Sequence, residues 1–392
     1  MMAAPEVTPP APEGALIELE RWLWEQAFDG RHTVAEVAES VAQLSDLYTI
    51  ERGVLAREQR DRAHLLAKSL YFLAADAPKV AIALRECRSR SARFSQTTRI
   101  IDIGCGVGAT TVGALLAIAE EGRSAGPVLL VGMDSEPSVL AIWAKTVSRM
   151  AEILGVDATV TTRVGDLRSA ASNCGTLHDS DLILCQTALN ELLAGAHASN
   201  AELHHDPATI EVVASWGRAA PTLIIEPALR STTRALQRLR DALVARGDLR
   251  IVAPCPHAQA CPMLPQPRDW CHESRVVEPT PRVAEINAIT RRRDNRLLFS
   301  MLAIEPASPI ADLPSDTILW RLVSDPLGSR GKTERWVCGS DGRLRVVRVL
   351  DRERTEHNEA IVEAERGTLV RLSVLPDRDR LTPTTAVTRV ER

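Results

Sequence analysis

The stretch RIIDIGCGVGATTVGALLAIAE, residues 99–120, changes its period halfway through. Arg99–Ile103 is a short apolar run of the kind a buried strand shows, and from Ala109 onward apolar residues recur at helical intervals. Between them stand Gly104, Gly106 and Gly108 in G-x-G-x-G spacing. Glycines there let the chain turn sharply and let a ligand approach the backbone, while the helix start offers unpaired N–H groups. A dinucleotide fingerprint prefers G-x-G-x-x-G, a register that here ends at Ala109.

Outward from this turn the strand-then-helix rhythm repeats. PVLLVGMDSEPSVLAIWAKTV follows at residues 127–147, then ATVTTRVGDL, SDLILCQTALNELL and PTLIIEPALRSTTRALQRL. The pattern from Arg99 to Ala253 predicts an α/β fold: an open, mostly parallel sheet with helices on both faces. Asp134 ends the second strand, where a carboxylate can accept both hydroxyls of an adenosine ribose.

Before this segment, LIELERWLWEQAF and LLAKSLYFLAADAPKVAIAL carry helical spacing, with Pro78 a kink or boundary. After it, RLLFSMLAI, TILWRLVS, ERWVCG, LRVVRVL and TLVRLSVL suit short antiparallel strands. The expected organisation is a helical region at 1–97 with a frayed leader, a Rossmann-like domain at 98–253, a cysteine loop and β-rich region at 254–375, and a marginally structured tail at 376–392.

Composition narrows the function classes. The 392 residues hold 47 Lys+Arg against 51 Asp+Glu, a net charge of -4, so any polyanion contact has to be local. Apolar runs are too short for a membrane-spanning helix, and the first residues lack a signal-peptide pattern. Eight cysteines are too sparse for a disulfide scaffold. The reading is a soluble protein of a reducing compartment, hence cytoplasmic.

Three of those cysteines crowd into PCPHAQACPMLPQPRDWC, residues 254–271. Five prolines restrict that loop. Clustered thiolates repel unless a cation shares their charge, so Cys255, Cys261 and Cys271 point to a metal or cluster, with His257, His272 or Cys338 as the fourth ligand. Spacing leaves zinc and iron–sulfur both open.

Two resemblances sharpen these readings. Asp-Ile-Gly-Cys-Gly-Val-Gly (102–108) resembles the first motif of class I S-adenosylmethionine-dependent methyltransferases, and Gly165-Asp-Leu167 resembles the position that meets the adenine. The resemblance implies that Gly104 and Gly106 approach the methionine portion, that Asp134 holds the ribose, and that Asp166 lies beside the base. Asp102, Gly108 and Gln186 complete the expected cofactor set. Cys185, Gln186, Asn190 and Glu191 fall near the reactive end, and Cys185 reads as a core thiol more than a nucleophile. No Asn-Pro-Pro-Tyr, Asp-Pro-Pro-Tyr or Pro-Cys segment is present there, and no catalytic residue is assigned.

PCPH at 254–257, Cys261-Pro262, DWCH at 269–272 and RWVC at 335–338 together resemble the methyltransferase-related proteins associated with the mitochondrial small ribosomal subunit, and their bacterial relatives. That family has an aromatic where this chain has Glu273. The resemblance implies a [4Fe-4S] cluster on Cys255, Cys261, Cys271 and Cys338, with zinc the alternative, and partnership with ribosomal RNA or a small-subunit precursor. The implied function is a methyltransferase-like protein acting on ribosomal RNA or on subunit assembly; the alternatives are a non-catalytic assembly factor and a small-molecule methyltransferase.

Arg230, Arg234 and Arg238 share one helix face, and Arg291, Arg292, Arg293 and Arg296 form a second basic group, both able to meet phosphates. Gly328-Ser-Arg-Gly-Lys-Thr333 has too short a glycine-to-lysine spacing for a P-loop and reads as a turn.

Overall fold

A computed structural model of the chain describes residues 12–26, 31–49, 62–95, 98–121, 127–169, 181–189, 207–292, 295–307 and 318–390. These fall into two compact units, one drawn from residues 1–85, 96–195 and 277–295, the other from 86–95, 196–276 and 296–392.

In the first unit, α1 (Pro12–Gln26), α2 (Val34–Thr49) and α3 (Arg62–Ala67) precede a π turn at Lys68–Phe72 and the long α4 (Leu73–Arg90), whose last residues, 86–90, are counted with the second unit. Pro78 lies inside α4, which runs through it. The missing N–H costs one hydrogen bond, whereas ending the helix would forfeit the turns that bury Val80, Ala83 and Leu84.

Then β1 (Arg99–Ile103), α5 (Ala109–Glu120), β2 (Val128–Asp134), α6 (Pro137–Leu154), β3 (Ala158–Val164) and β4 (Asp181–Gln186) alternate. The strands pair in parallel in the order β3-β2-β1-β4. Short apolar runs, buried nearly throughout in β1, β2 and β4, enter the sheet, and segments of 3.6-residue period cover it. At the sheet's centre Trp143 of α6 is fully buried over Gly132, where a built Cβ would come within 2.6 Å of the indole.

In the second unit, α7 (Pro207–Ala219), β5 (Thr222–Pro227), α8 (Arg230–Arg246) and β6 (Leu249–Ala253) lead into the cysteine loop and β7 (Glu273–Val276). A further helix, α9 (Pro281–Thr290), belongs to the first unit. Glu20 of α1 caps it, accepting from Arg282 N at 3.1 Å, Val283 N at 3.3 Å and Thr280 Oγ1 at 2.5 Å.

One antiparallel strand from beyond Ala253 joins the strands of the second unit. The eleven-residue β8 (Arg296–Pro306) pairs antiparallel with β5, β6 and β7. Its segment, read as part of the later β-region, therefore completes the α/β sheet.

A second sheet is built from β9 (Ile318–Leu322), β10 (Leu327–Ser329), β11 (Lys332–Gly339), β12 (Leu344–Leu350), β13 (Leu369–Leu372), β14 (Arg380–Leu381) and β15 (Val387–Arg389). Gly328–Thr333 forms the β10–β11 hairpin, as its sequence implies. One face buries Trp320, Leu322, Val337, Val347 and Val370, joined by Leu381 and Val387. The 376–392 segment, expected as a marginal tail, thus contributes two side chains to this core. The architecture is a Rossmann-like α/β fold with N-terminal helices and a C-terminal β-sheet region. No described helix is long and apolar enough to cross a membrane.

Candidate functional site

At the carboxyl end of β1 the chain turns through Gly104, Gly106 and Gly108, with φ of 68°, 49° and 111°. L side chains avoid these values, which is why the turn is made of glycines. At Gly104 a built Cβ would also lie 2.4 Å from the Ala188 side chain, just past β4. A Cβ built on Gly106 meets nothing within 4 Å, so this backbone borders open space.

Asp134, at the end of β2, sits against the same turn. Its carboxylate accepts from Gly106 N at 3.1 Å and from Glu136 N at 3.1 Å. Asp102 is buried at the end of β1 and accepts from Thr111 Oγ1 at 2.7 Å, and Trp143 Nε1 in turn donates to Thr111 Oγ1 at 3.2 Å. Burial pushes the Asp102 carboxyl up to about 7, against the Thr111 hydrogen bond, and the nearby Asp134 charge adds to the rise.

Gln186 is buried at the end of β4 and donates Nε2 to the Asp76 carbonyl at 3.3 Å. Its Oε1 and the Asp102 Oδ1 are buried acceptors with no hydrogen-bond donor among the described residues. Asp166 is exposed after β3 and accepts from Arg168 N at 2.7 Å. Cys185 is fully buried, in keeping with a core thiol. Asn190 and Glu191 lie outside the described residues. Thr111 and Trp143, which hold Asp102, carried no sequence signal beyond helical periodicity.

The cysteine loop is gathered, but not as expected. Cys255, Cys261, Cys271 and Cys338 line one largely apolar cavity with His257, Arg240 and Arg321. Among the described residues, however, no three His, Cys, Asp or Glu side chains form a group that could hold a metal ion. The expected [4Fe-4S] cluster, its zinc alternative and the cysteine-ligated region are corrected accordingly.

The flaw lay in the premise of thiolate repulsion. Burial pushes Cys261 up to about 11, Cys271 up to about 12 and Cys338 higher still, and neutral thiols need no cation between them. His257, lowered to about 4 by burial and then by the Arg240 charge, places Nε2 3.3 Å from Cys338 Sγ. Burial likewise lowers His272 to about 4, and its ring stacks on Trp270.

What holds the loop is arginine. Arg234 donates to the carbonyls of Leu264, Gln266 and Asp269 at 2.8, 2.8 and 2.7 Å. Arg240 donates to the His257 and Gln259 carbonyls, while Asp241 accepts from Cys261 N at 2.9 Å. Arg90 donates to the Cys255 carbonyl at 2.7 Å and Arg366 to the Trp270 carbonyl at 3.1 Å. Arg321, almost wholly buried, pairs with Glu86 at 2.5 Å and with Glu273, and reaches the Pro254 carbonyl at 3.0 Å. Glu273 is also held by Arg275. A proline-rich loop makes few hydrogen bonds of its own, and these side chains satisfy the carbonyls it leaves over.

The two basic groups are therefore redistributed. Arg234 faces the loop, leaving Arg230 exposed and Arg238 half-buried on α8. Arg292 stacks over Tyr71 at 5.7 Å and donates to Ser45, so it serves the helical unit. Arg296 donates to Ser274 Oγ at 3.1 Å, Arg291 is exposed, and Arg293 lies outside the described residues.

Residues 62–366 match the model of the family described as Mitochondrial small ribosomal subunit Rsm22. No curated protein matches. Among solved structures the chain is similar to the plantazolicin methyltransferase BpumL in complex with SAH, at 13% identity over 76% of this chain and 100% of that one, with a TM-score of 0.32. A putative class I S-adenosylmethionine-dependent methyltransferase from Listeria monocytogenes aligns at 11% identity over 78% and 91%, TM-score 0.38. The O-methyltransferase from Bacillus cereus aligns at 11% identity over 74% and 97%, TM-score 0.32. Scores of this size say nothing of activity.

Proposed function

Given that this chain belongs to the family Mitochondrial small ribosomal subunit Rsm22, we propose that it is an S-adenosylmethionine-binding, methyltransferase-like protein that acts on ribosomal RNA or in assembly of the small ribosomal subunit. The observation that carries the binding half is the Asp134 carboxylate drawn onto the Gly106 amide at the open end of a parallel sheet.

The residues suit the ligand. Open space at Gly106 admits it, and Asp134 keeps lone pairs for two ribose hydroxyls. The unpartnered Asp102 Oδ1 and Gln186 Oε1 are acceptors suited to an ammonium group. Gly104, Gly108 and Asp166 complete the proposed set. Bound there, the cofactor supplies an electrophilic sulfonium methyl. The chain's own residues position it, with no general base assigned. A cytoplasmic location belongs to the same proposal, supported by the seven described cysteines all being free thiols.

Calorimetric titration with S-adenosylmethionine tests the binding half. The wild-type chain binds, and Asp134→Ala weakens binding about 10- to 100-fold, the worth of hydrogen bonds to a charged group. A wild-type chain that does not bind overturns it. Labelled methyl transfer into small-subunit precursors then separates an enzyme from a factor that keeps the pocket without chemistry. Binding without any ribosomal association would favour a small-molecule methyltransferase.

A further inference from the structure

The loop-binding role of Arg234 has a second effect on its neighbours. Because its guanidinium holds the Gln266 and Asp269 carbonyls at 2.8 and 2.7 Å, the loop residue Arg268 is brought beside α8. Arg230 and Arg238 lie one helical turn to either side of Arg234, roughly 12 Å apart along the helix. Arg230 and Arg268 are exposed and Arg238 is half-buried. None of the three is ion-paired with a described carboxylate.

Acidic residues do not offset them. Arg230–Arg238 and Pro262–Arg268 contain no Asp or Glu. Asp269 and Asp241 border these stretches in sequence, and Asp241 is engaged by Arg240 and by Cys261 N. A chain with a net charge of -4 thus gathers, on α8 and the loop tied to it, three guanidinium groups that no described carboxylate pairs. Arginine forks match phosphate oxygens, and groups held on a helix and a tethered loop lose little entropy on binding.

We propose that Arg230, Arg238 and Arg268 form a contact surface for the phosphate backbone of RNA. The inference rests on the ribosomal reading above and names the surface through which it operates. The surface positions RNA without reading its sequence, since phosphate contacts carry no base information.

The test measures binding of the full chain to purified small-subunit ribosomal RNA between 50 and 200 mM salt, roughly the range over which phosphate contacts are lost. The triple variant Arg230→Glu/Arg238→Glu/Arg268→Glu is compared with Arg330→Glu/Arg348→Glu/Arg371→Glu, an equal change of charge on the second sheet. The first triple is expected to bind at least about tenfold more weakly, with a log–log salt slope shallower by about 2, as loss of three single-strand phosphate contacts gives. The second is expected to stay within about threefold of wild type. The corresponding Arg→Gln triple, which removes charge without reversing it, guards against misfolding and should fall between, with an unchanged melting temperature.

Equal losses in both Glu triples, or none in the first, overturn the surface while leaving the ribosomal reading standing. Failure of the wild-type chain to bind overturns that reading and the surface together.

Discussion

Asp102 and Arg321 are both buried ionisable side chains, one held neutral by burial and the other kept charged by two carboxylates. Burial raises the Asp102 carboxyl to about 7, so the folded chain keeps a proton that the unfolded chain releases near pH 4. Between those values the unfolded state binds fewer protons, and stability falls as pH rises, levelling off above about 7. Asp102→Asn should flatten that slope in urea midpoints measured from pH 5 to 8; an unaltered slope would show that the carboxyl titrates normally. Arg321→Met removes the shared partner of Glu86 and Glu273, buried to 4% and 2% exposure. We expect a loss of about 3 kcal/mol by equilibrium unfolding, since each buried carboxylate is then left with one arginine, Arg90 or Arg275. Adding Glu86→Gln and Glu273→Gln should recover part of it. Asp134 was legible from its place after a strand. Arg321 was not, because its pairing with Glu86 spans 235 residues and leaves no local pattern.

Among the elements, β1, α5, β2 and α6 were legible because their periodicities are local. β8 was legible as an antiparallel strand, but its partners were not, because pairing such as Thr222 with Ile304 is set by tertiary contact and not by the composition of either segment. Helix crossings were equally hidden. Gly113 in α5 packs so closely on α4 that a built Cβ would lie 2.2 Å from the Ala77 carbonyl oxygen. In an isolated helix Gly→Ala stabilises by about 1 kcal/mol. Here Gly113→Ala should instead destabilise by about 1–3 kcal/mol, the range for overpacking. A raised melting temperature would show that the two helices can separate at no cost.

For the whole molecule, the cysteine loop illustrates how far spacing can mislead. The four cysteines line one cavity, but burial, which no spacing reports, favours the neutral thiol at Cys261, Cys271 and Cys338. The 376–392 segment was underestimated for a related reason: Leu381 and Val387 look isolated in a polar sequence, yet both lie in the second sheet's core. Deleting residues 377–392 should therefore lower the thermal midpoint and expose apolar surface to a hydrophobic dye, whereas a dispensable tail would leave both unchanged.

The arginines that close the cysteine loop also impose an order in time. Arg90 lies 165 residues before its carbonyl partner in the loop, and Arg366 lies 96 residues after its own. During synthesis the loop leaves the ribosome long before Arg321 and Arg366 exist to receive it. Contacts of such separation form late, after the chain has met the entropy of closing long loops. The loop is thus among the last parts of the newborn chain to settle, and a polypeptide released early, short of residue 366, would carry its thiols unenclosed.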